Sequence, residues 1–162
     1  YFLQYDIVEA GHKFNMSDIQ AVLGHCQLNR LPAWQERRKA IYQRYAEAFD
    51  ALPCVSYLKP PPETDPAHHL FILRLDPEAL SVSRETIMNR ITDRGVQLSI
   101  SFKPVHLFSY YRNAFRYEPG TFPRAEDSYA RIFSLPIFPS LTDDEVDYVI
   151  ETVTTTLREA KR

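Results

Sequence analysis

The 162 residues predict an α+β fold: a short, mostly antiparallel sheet covered by helices, with a helical arm at the N-terminal end. Three observations predict it. Two strand-like runs, His69–Leu75 (HLFILRL) and Val96–Phe102 (VQLSISF), flank a segment of helical period. A long stretch of helical periodicity precedes them. A third helical pattern, with its own start signal, closes the chain.

Ser17 followed by Gln20 is a capping box, so a first helix is predicted from Asp18. Its stripe is Ile19, Val22, Leu23 and Cys26, and a thiol on such a stripe is expected to be buried. Pro32 should end that helix and start the next, over Ala33–Leu52, since the residue before proline avoids the helical region. Trp34, Ile41, Tyr45, Ala48, Phe49 and Leu52 give the second helix a broad apolar face.

Cys54–Leu58 is a possible strand, and the proline-rich Lys59–Ala67 can be neither helix nor central strand. After the strand His69–Leu75, Ser83 caps a helix over Arg84–Arg94, with Gly95 at the left-handed C-terminal cap. In the strand Val96–Phe102, Val96, Leu98, Ile100 and Phe102 share a face. A Pro turn at Lys103-Pro104 leads to a short helix around Ser109–Ala114, a turn at Pro119-Gly120, and a helix over Arg124–Ile132. Phe133–Pro139 is extended. Thr142 with Glu145 forms a second capping box before the last helix, Asp143–Glu159. Residues 1–58 thus read as an arm with two helices, and 59–162 as the small α+β domain.

Composition narrows the function. A formal charge of −2 gives no electrostatic footprint for nucleic acid. There is no apolar run near the ~18 residues that a membrane span needs. Two cysteines make no disulfide framework and suit a reducing cytoplasm. Four glycines form no phosphate-binding loop pattern, and the histidines His12, His25, His68, His69 and His106 fall at no zinc spacing. His68 and His69, being adjacent, should point to opposite sides of a strand. No residue set assembles a catalytic triad. Among these residues His106 stands out: it follows a strand end and a Pro turn, where side chains often face a cleft, although spacing alone favours a structural role.

The segment Gly11-His12-Lys13-Phe14-Asn15-Met16-Ser17-Asp18-Ile19-Gln20-Ala21 resembles the G-[YH]-x-[YF]-x-[ML]-[ST]-D-I-x-A signature of the DegT/StrS-type sugar aminotransferases. Further on, Gln27-Leu28, Arg37-Arg38, His69–Asp76, Phe102–Leu107 with Tyr110-Tyr111, and Ser134–Pro139 with Leu141-Thr142 and Val146 resemble that family's later motifs, in order. The resemblance implies the small C-terminal domain of a fold-type-I pyridoxal-phosphate aminotransferase. Such an enzyme moves an amino group from glutamate to a keto-sugar nucleotide and works as a homodimer, with neither nucleic acid nor membrane as partner.

The same resemblance implies that the lysine holding pyridoxal phosphate lies in the larger domain, so no catalytic residue is expected here. By residue type, Lys13 and Asn15 resemble the branch that aminates 4-keto pentose nucleotides; most members carry Asn and Arg there. Lys13 and Asn15 would bind the cofactor phosphate of the neighbouring subunit, and Ser101, Lys103 and His106 would line the sugar-nucleotide side. Many members have a histidine where Ser101 stands. Without a larger domain, the arm Tyr1–Asn15 would be mobile or exchanged into another copy. The competing expectations are a non-catalytic binding module of the same fold and, less well supported by the strand patterns, a helical adaptor.

Overall fold

The computed structural model describes His12 and residues 14–162, so the expectations placed on Lys13 and on Tyr1–Gly11 lie outside the described residues. Helix α1 spans Asp18–Asp50. Its capping box forms as expected: the Ser17 backbone N–H donates to Gln20 Oε1 at 2.9 Å, and the Gln20 N–H donates to Ser17 Oγ at 3.4 Å. The expected break at Pro32 does not occur, and a single helix carries the proline inside it. Proline there removes one N–H and crowds the preceding turn. Helix-favouring Gln, Glu, Arg and Ala residues beyond it, and the burial of Ile41, Tyr45 and Phe49, offset that cost.

Contacts group the residues up to Pro32 as one compact unit and Ala33–Arg162 as another. In the first unit the apolar stripe is open: Ile19 is 76% exposed and Val22 62%. Cys26 is exposed as well, contrary to the buried thiol expected of a stripe position. Amphipathic spacing marks a face that can be buried, and in this unit the face is uncovered.

In the second unit, strands β1 (Val55–Tyr57) and β3 (Ile132–Leu135) flank the central β2 (Phe71–Leu75) in a three-stranded sheet, both pairings antiparallel. Val55 lies opposite Leu75, and Phe71 opposite Leu135. Along β2 the side chains alternate: Phe71, Leu73 and Leu75 are buried, and Arg74 turns outward to Asp127 at 3.0 Å. Phe71 anchors the packing, with its ring 5.2 Å from that of Tyr45 and 4.9 Å from that of Tyr42 on α1. Ile87 and Ile91 of α2 (Arg84–Asp93) and Val146, Val149, Val153 and Leu157 of α5 (Asp143–Glu159) complete the core. Arg94 ties those two helices, donating to Thr156 Oγ1 at 2.7 Å and to both Glu159 carboxylate oxygens.

Ser83 caps α2 and Gly95, at φ +86°, closes it, as the sequence predicts. The predicted strand Val96–Phe102 is reduced to one bridge, in which Ser99 and Ser134 exchange both backbone hydrogen bonds at 3.2 and 2.7 Å. Pairing cannot run on toward Gln97, because this register sets it opposite Pro136, which has no N–H to give. The alternation still reports burial at its start, where Val96 is buried and Leu98 half-buried, but Phe102, expected on the same face, is 76% exposed. Beyond it come a 3-10 turn (Val105–Leu107) and helices α3 (Ser109–Phe115) and α4 (Pro123–Arg131). No described helix is long and apolar enough to cross a membrane.

Candidate functional site

The turn Lys103-Pro104 sends the chain off the sheet edge into the 3-10 turn that carries His106. That turn, α3 and the start of α4 enclose an open cleft of about 460 Å3. Its walls are aromatic. Tyr111 and Phe115 stack at 6.1 Å, Phe115 and Tyr117 at 5.9 Å, and Tyr117 meets Phe122 at 5.6 Å. His106 lies behind Phe122, with ring centroids 4.8 Å apart, and is only 6% exposed. A cleft of flat rings with one imidazole among them suits a planar, partly polar ligand by stacking.

His106 is fixed from behind. Its Nε2 is 2.8 Å from Glu126 Oε1. The same carboxylate accepts the Gly120 N–H at 2.8 and 2.9 Å and the Phe122 N–H at 3.3 Å. Glu126 sits in the first turn of α4, where the helix dipole favours an acid. These donors, the Gly120 N–H first and His106 second, hold its carboxyl below the usual glutamate range. Gly120 takes φ +92°, a left-handed turn that a side chain would strain.

Of the residues expected to line the sugar-nucleotide side, only His106 borders the cleft. Lys103 is exposed, with its ammonium 5.2 Å from the centre of the Phe108 ring, a cation–π contact. Ser101 Oγ accepts from Ser134 Oγ at 3.3 Å, facing the sheet edge. Asn15 is exposed just ahead of the α1 cap, in the other compact unit. Lys13 lies outside the described residues.

Glu126, Tyr117 and Phe122 were not singled out by sequence reasoning. The available signal was the Pro119-Gly120 turn followed by an acid in the first turn of a helix, a pattern in which the carboxylate reaches back to free N–H groups.

His68 departs from expectation. It precedes β2 rather than lying on it, takes φ +44°, and packs its ring tilted against that of Tyr42, with centroids 4.5 Å apart. Its Nδ1 is buried without a partner, and burial pushes its pKa down. A mostly apolar hollow of about 340 Å3 adjoins it, lined also by Tyr57, Pro60 and Pro66. Among the described residues no cluster of three His, Cys, Asp or Glu could hold a metal ion.

Comparison with known proteins follows the same lines. The DegT/DnrJ/EryC1/StrS aminotransferase family matches residues 2–154. The spore coat polysaccharide biosynthesis protein SpsC of Bacillus subtilis is 40% identical over 152 residues, which make up 92% of this chain and 39% of SpsC. A candidate sugar aminotransferase of Streptococcus pneumoniae, Spr1654, solved in its PLP form, superposes with a TM-score of 0.84 at 34% identity over 96% of this chain. Helicobacter pylori PseC, an aminotransferase involved in pseudoaminic acid biosynthesis, gives 0.81 at 25% identity over 97% of this chain. The chain spans 39% of the length of SpsC and of Spr1654, and 43% of PseC. The α+β unit therefore matches part of a DegT-type pyridoxal-phosphate aminotransferase.

Proposed function

The chain belongs to the DegT/DnrJ/EryC1/StrS aminotransferase family, and from that premise we propose that it is the C-terminal part of an enzyme that transfers an amino group from glutamate to a keto-sugar nucleotide. The observation that carries this reading is the aromatic cleft around His106, to which the motif-bearing stretch contributes Pro104, Val105, His106 and Tyr111, and the segment after it Phe115, Tyr117 and Phe122. In this reading the cleft holds the nucleotide side of the substrate. Stacking supplies affinity there, and His106 supplies a fixed imidazole at its floor.

Pyridoxal phosphate, when bound, supplies the electron sink for the amino transfer. Asn15 suits the phosphate of that group: its side-chain amide is a neutral donor on an exposed segment. Lys13, next but one, would add a cation for the dianion. Both would act on the cofactor of a second copy in a homodimer.

The lysines of the chain are Lys13, Lys39, Lys59, Lys103 and Lys161. Lys59 is engaged by Asp50 at 2.7 Å, and Lys103 rests over Phe108. In this reading the reactive lysine is carried elsewhere in the whole protein. Lys13 and Asn15 together favour 4-keto pentose nucleotides as the acceptor. The test is an assay of the whole protein with glutamate, pyridoxal phosphate and a UDP-4-keto-pentose, read by mass spectrometry. The reading expects 2-oxoglutarate and the amino sugar in equal amounts, and no turnover by residues 1–162 alone. A whole protein that leaves every keto-sugar nucleotide unchanged would overturn it.

A further inference from the structure

The His106 ring has two nitrogens, and the structure commits one of them. Nε2 faces Glu126 Oε1 at 2.8 Å. A carboxylate accepts hydrogen bonds and cannot donate, so the imidazole must carry its hydrogen on Nε2. In the neutral ring Nδ1 is then the acceptor. Glu126 does a second job with the same oxygens. It takes the N–H of Gly120 and of Phe122, which fixes the turn between Tyr117 and α4. Phe122 is the ring that covers His106, and Tyr117 is its neighbour in the cleft wall.

We propose that Glu126 is the positioning residue of this cleft: it sets the tautomer of His106 and pins the Gly120–Phe122 turn, so that one carboxylate fixes both the imidazole and the aromatic wall facing the substrate. Glu126 does not line the cleft and acts through His106 and the turn. The inference rests on the reading of the cleft as the sugar-nucleotide side. It adds the residue that makes the cleft rigid before anything binds. A preformed wall loses less side-chain freedom when a ligand is captured.

The test uses the whole protein labelled with nitrogen-15. At a pH where His106 is neutral, its ring nitrogens report the tautomer directly. The wild type is expected to carry the hydrogen on Nε2. In Glu126→Gln the amide can donate as well as accept, and the preference for Nε2–H is expected to vanish. In Glu126→Ala the Gly120 amide is expected to exchange about tenfold faster with solvent, the change that loss of one ordinary hydrogen bond brings. Glu126→Asp, which keeps the charge, is expected to restore the Nε2–H tautomer. A tautomer that is unchanged in Glu126→Gln, or Gly120 exchange that is unchanged in Glu126→Ala, overturns the proposal; a merely structural glutamate would move neither the tautomer nor its rescue by Asp.

Titration with UDP then separates the two readings. UDP is expected to shift the Tyr117 and Phe122 ring signals and to bind about tenfold more weakly to Glu126→Gln, the same loss of one hydrogen bond. If UDP shifts no cleft signal in the wild type, the nucleotide reading falls, and the positioning role stands or falls on tautomer and exchange. If UDP binds the variant equally well, Glu126 does not organise the cleft for a ligand and the proposal is overturned.

Discussion

Arg37 of α1 holds the N-terminal end of α5 through Asp143, with Nη1 2.7 Å from Oδ1, while its Nε donates to the Leu141 carbonyl at 3.2 Å. Arg44, further along α1, also reaches Asp143, at 2.9 Å, and pairs with Asp147. One face of α1 is thereby tied to the helix that closes the chain. The two arginines hold the Asp143 carboxyl below the usual aspartate range, Arg37 contributing most.

Arg37→Ala is predicted to destabilise the fold by about 1–2 kcal/mol, because the half-buried Leu141 carbonyl loses a charged donor. Asp143→Asn should cost less, since the acid is 69% exposed and solvent screens its pairs. Urea midpoints for the two variants check this, and an equal or larger loss in Asp143→Asn would place the stabilisation in the ion pair instead.

Tyr45 is buried in the core, and its hydroxyl donates to the Pro136 carbonyl at 2.9 Å. Burial pushes its pKa well above the ordinary tyrosine value. A raised folded-state pKa means stability that is complete below the unfolded value, near 10, and is lost as pH rises from there through the folded one. Tyr45→Phe should cost about 1 kcal/mol at neutral pH and should flatten the alkaline loss. Thermal melts between neutral and alkaline pH follow both effects.

The capping box of α5 gives the acid counterpart. Thr142 Oγ1 accepts the Glu145 N–H at 3.3 Å, and Glu145 Oε2 accepts the Thr142 N–H at 2.7 Å. The Thr142 backbone N–H and then its hydroxyl hold the Glu145 carboxyl low. A lowered folded pKa gives stability present above the unfolded value and lost as pH falls through the folded one, here from about pH 5 downward. Thr142→Ala should remove about 1 kcal/mol at neutral pH. Glu145→Gln should remove the acid-side slope that this residue contributes, as read by urea titrations at successive pH values.

The two thiols differ in reach. Cys26 is exposed on α1, whereas Cys54 is 4% exposed and burial raises its pKa. A thiol-specific reagent at neutral pH should therefore label Cys26 alone within minutes, with Cys54 reacting only after urea is added. Peptide mapping identifies the labelled residue, and rapid labelling of Cys54 in the folded chain would contradict its burial just ahead of β1.

Much of this architecture was legible where local chemistry decides it. Ser17 with Gln20, Ser83, Thr142 with Glu145, and Gly95 all mark helix ends through hydrogen bonds or backbone freedom belonging to their own segments. The misreadings lie where distant residues decide. Pro32 does not stop α1, because the burial of Tyr45 and Phe49 more than a helical turn away favours continuation. Val96–Phe102 alternates like a strand, yet toward Gln97 the edge it meets is cut short by Pro136. At the site, His106 was visible as a residue after a Pro turn. Its partner Glu126 is twenty positions on and reaches it only through the fold of the intervening turn.

In the proposed function this chain would contribute walls of an aminotransferase cleft, and the amine that holds the cofactor would lie elsewhere in the whole protein. The most direct test is borohydride reduction of the 162-residue chain with stoichiometric pyridoxal phosphate, followed by peptide mass mapping, with the whole protein treated in parallel. The account predicts one phosphopyridoxyl lysine in the whole protein, outside this chain, and none within residues 1–162. Stoichiometric modification of Lys103, or of any other lysine in the chain, would contradict it.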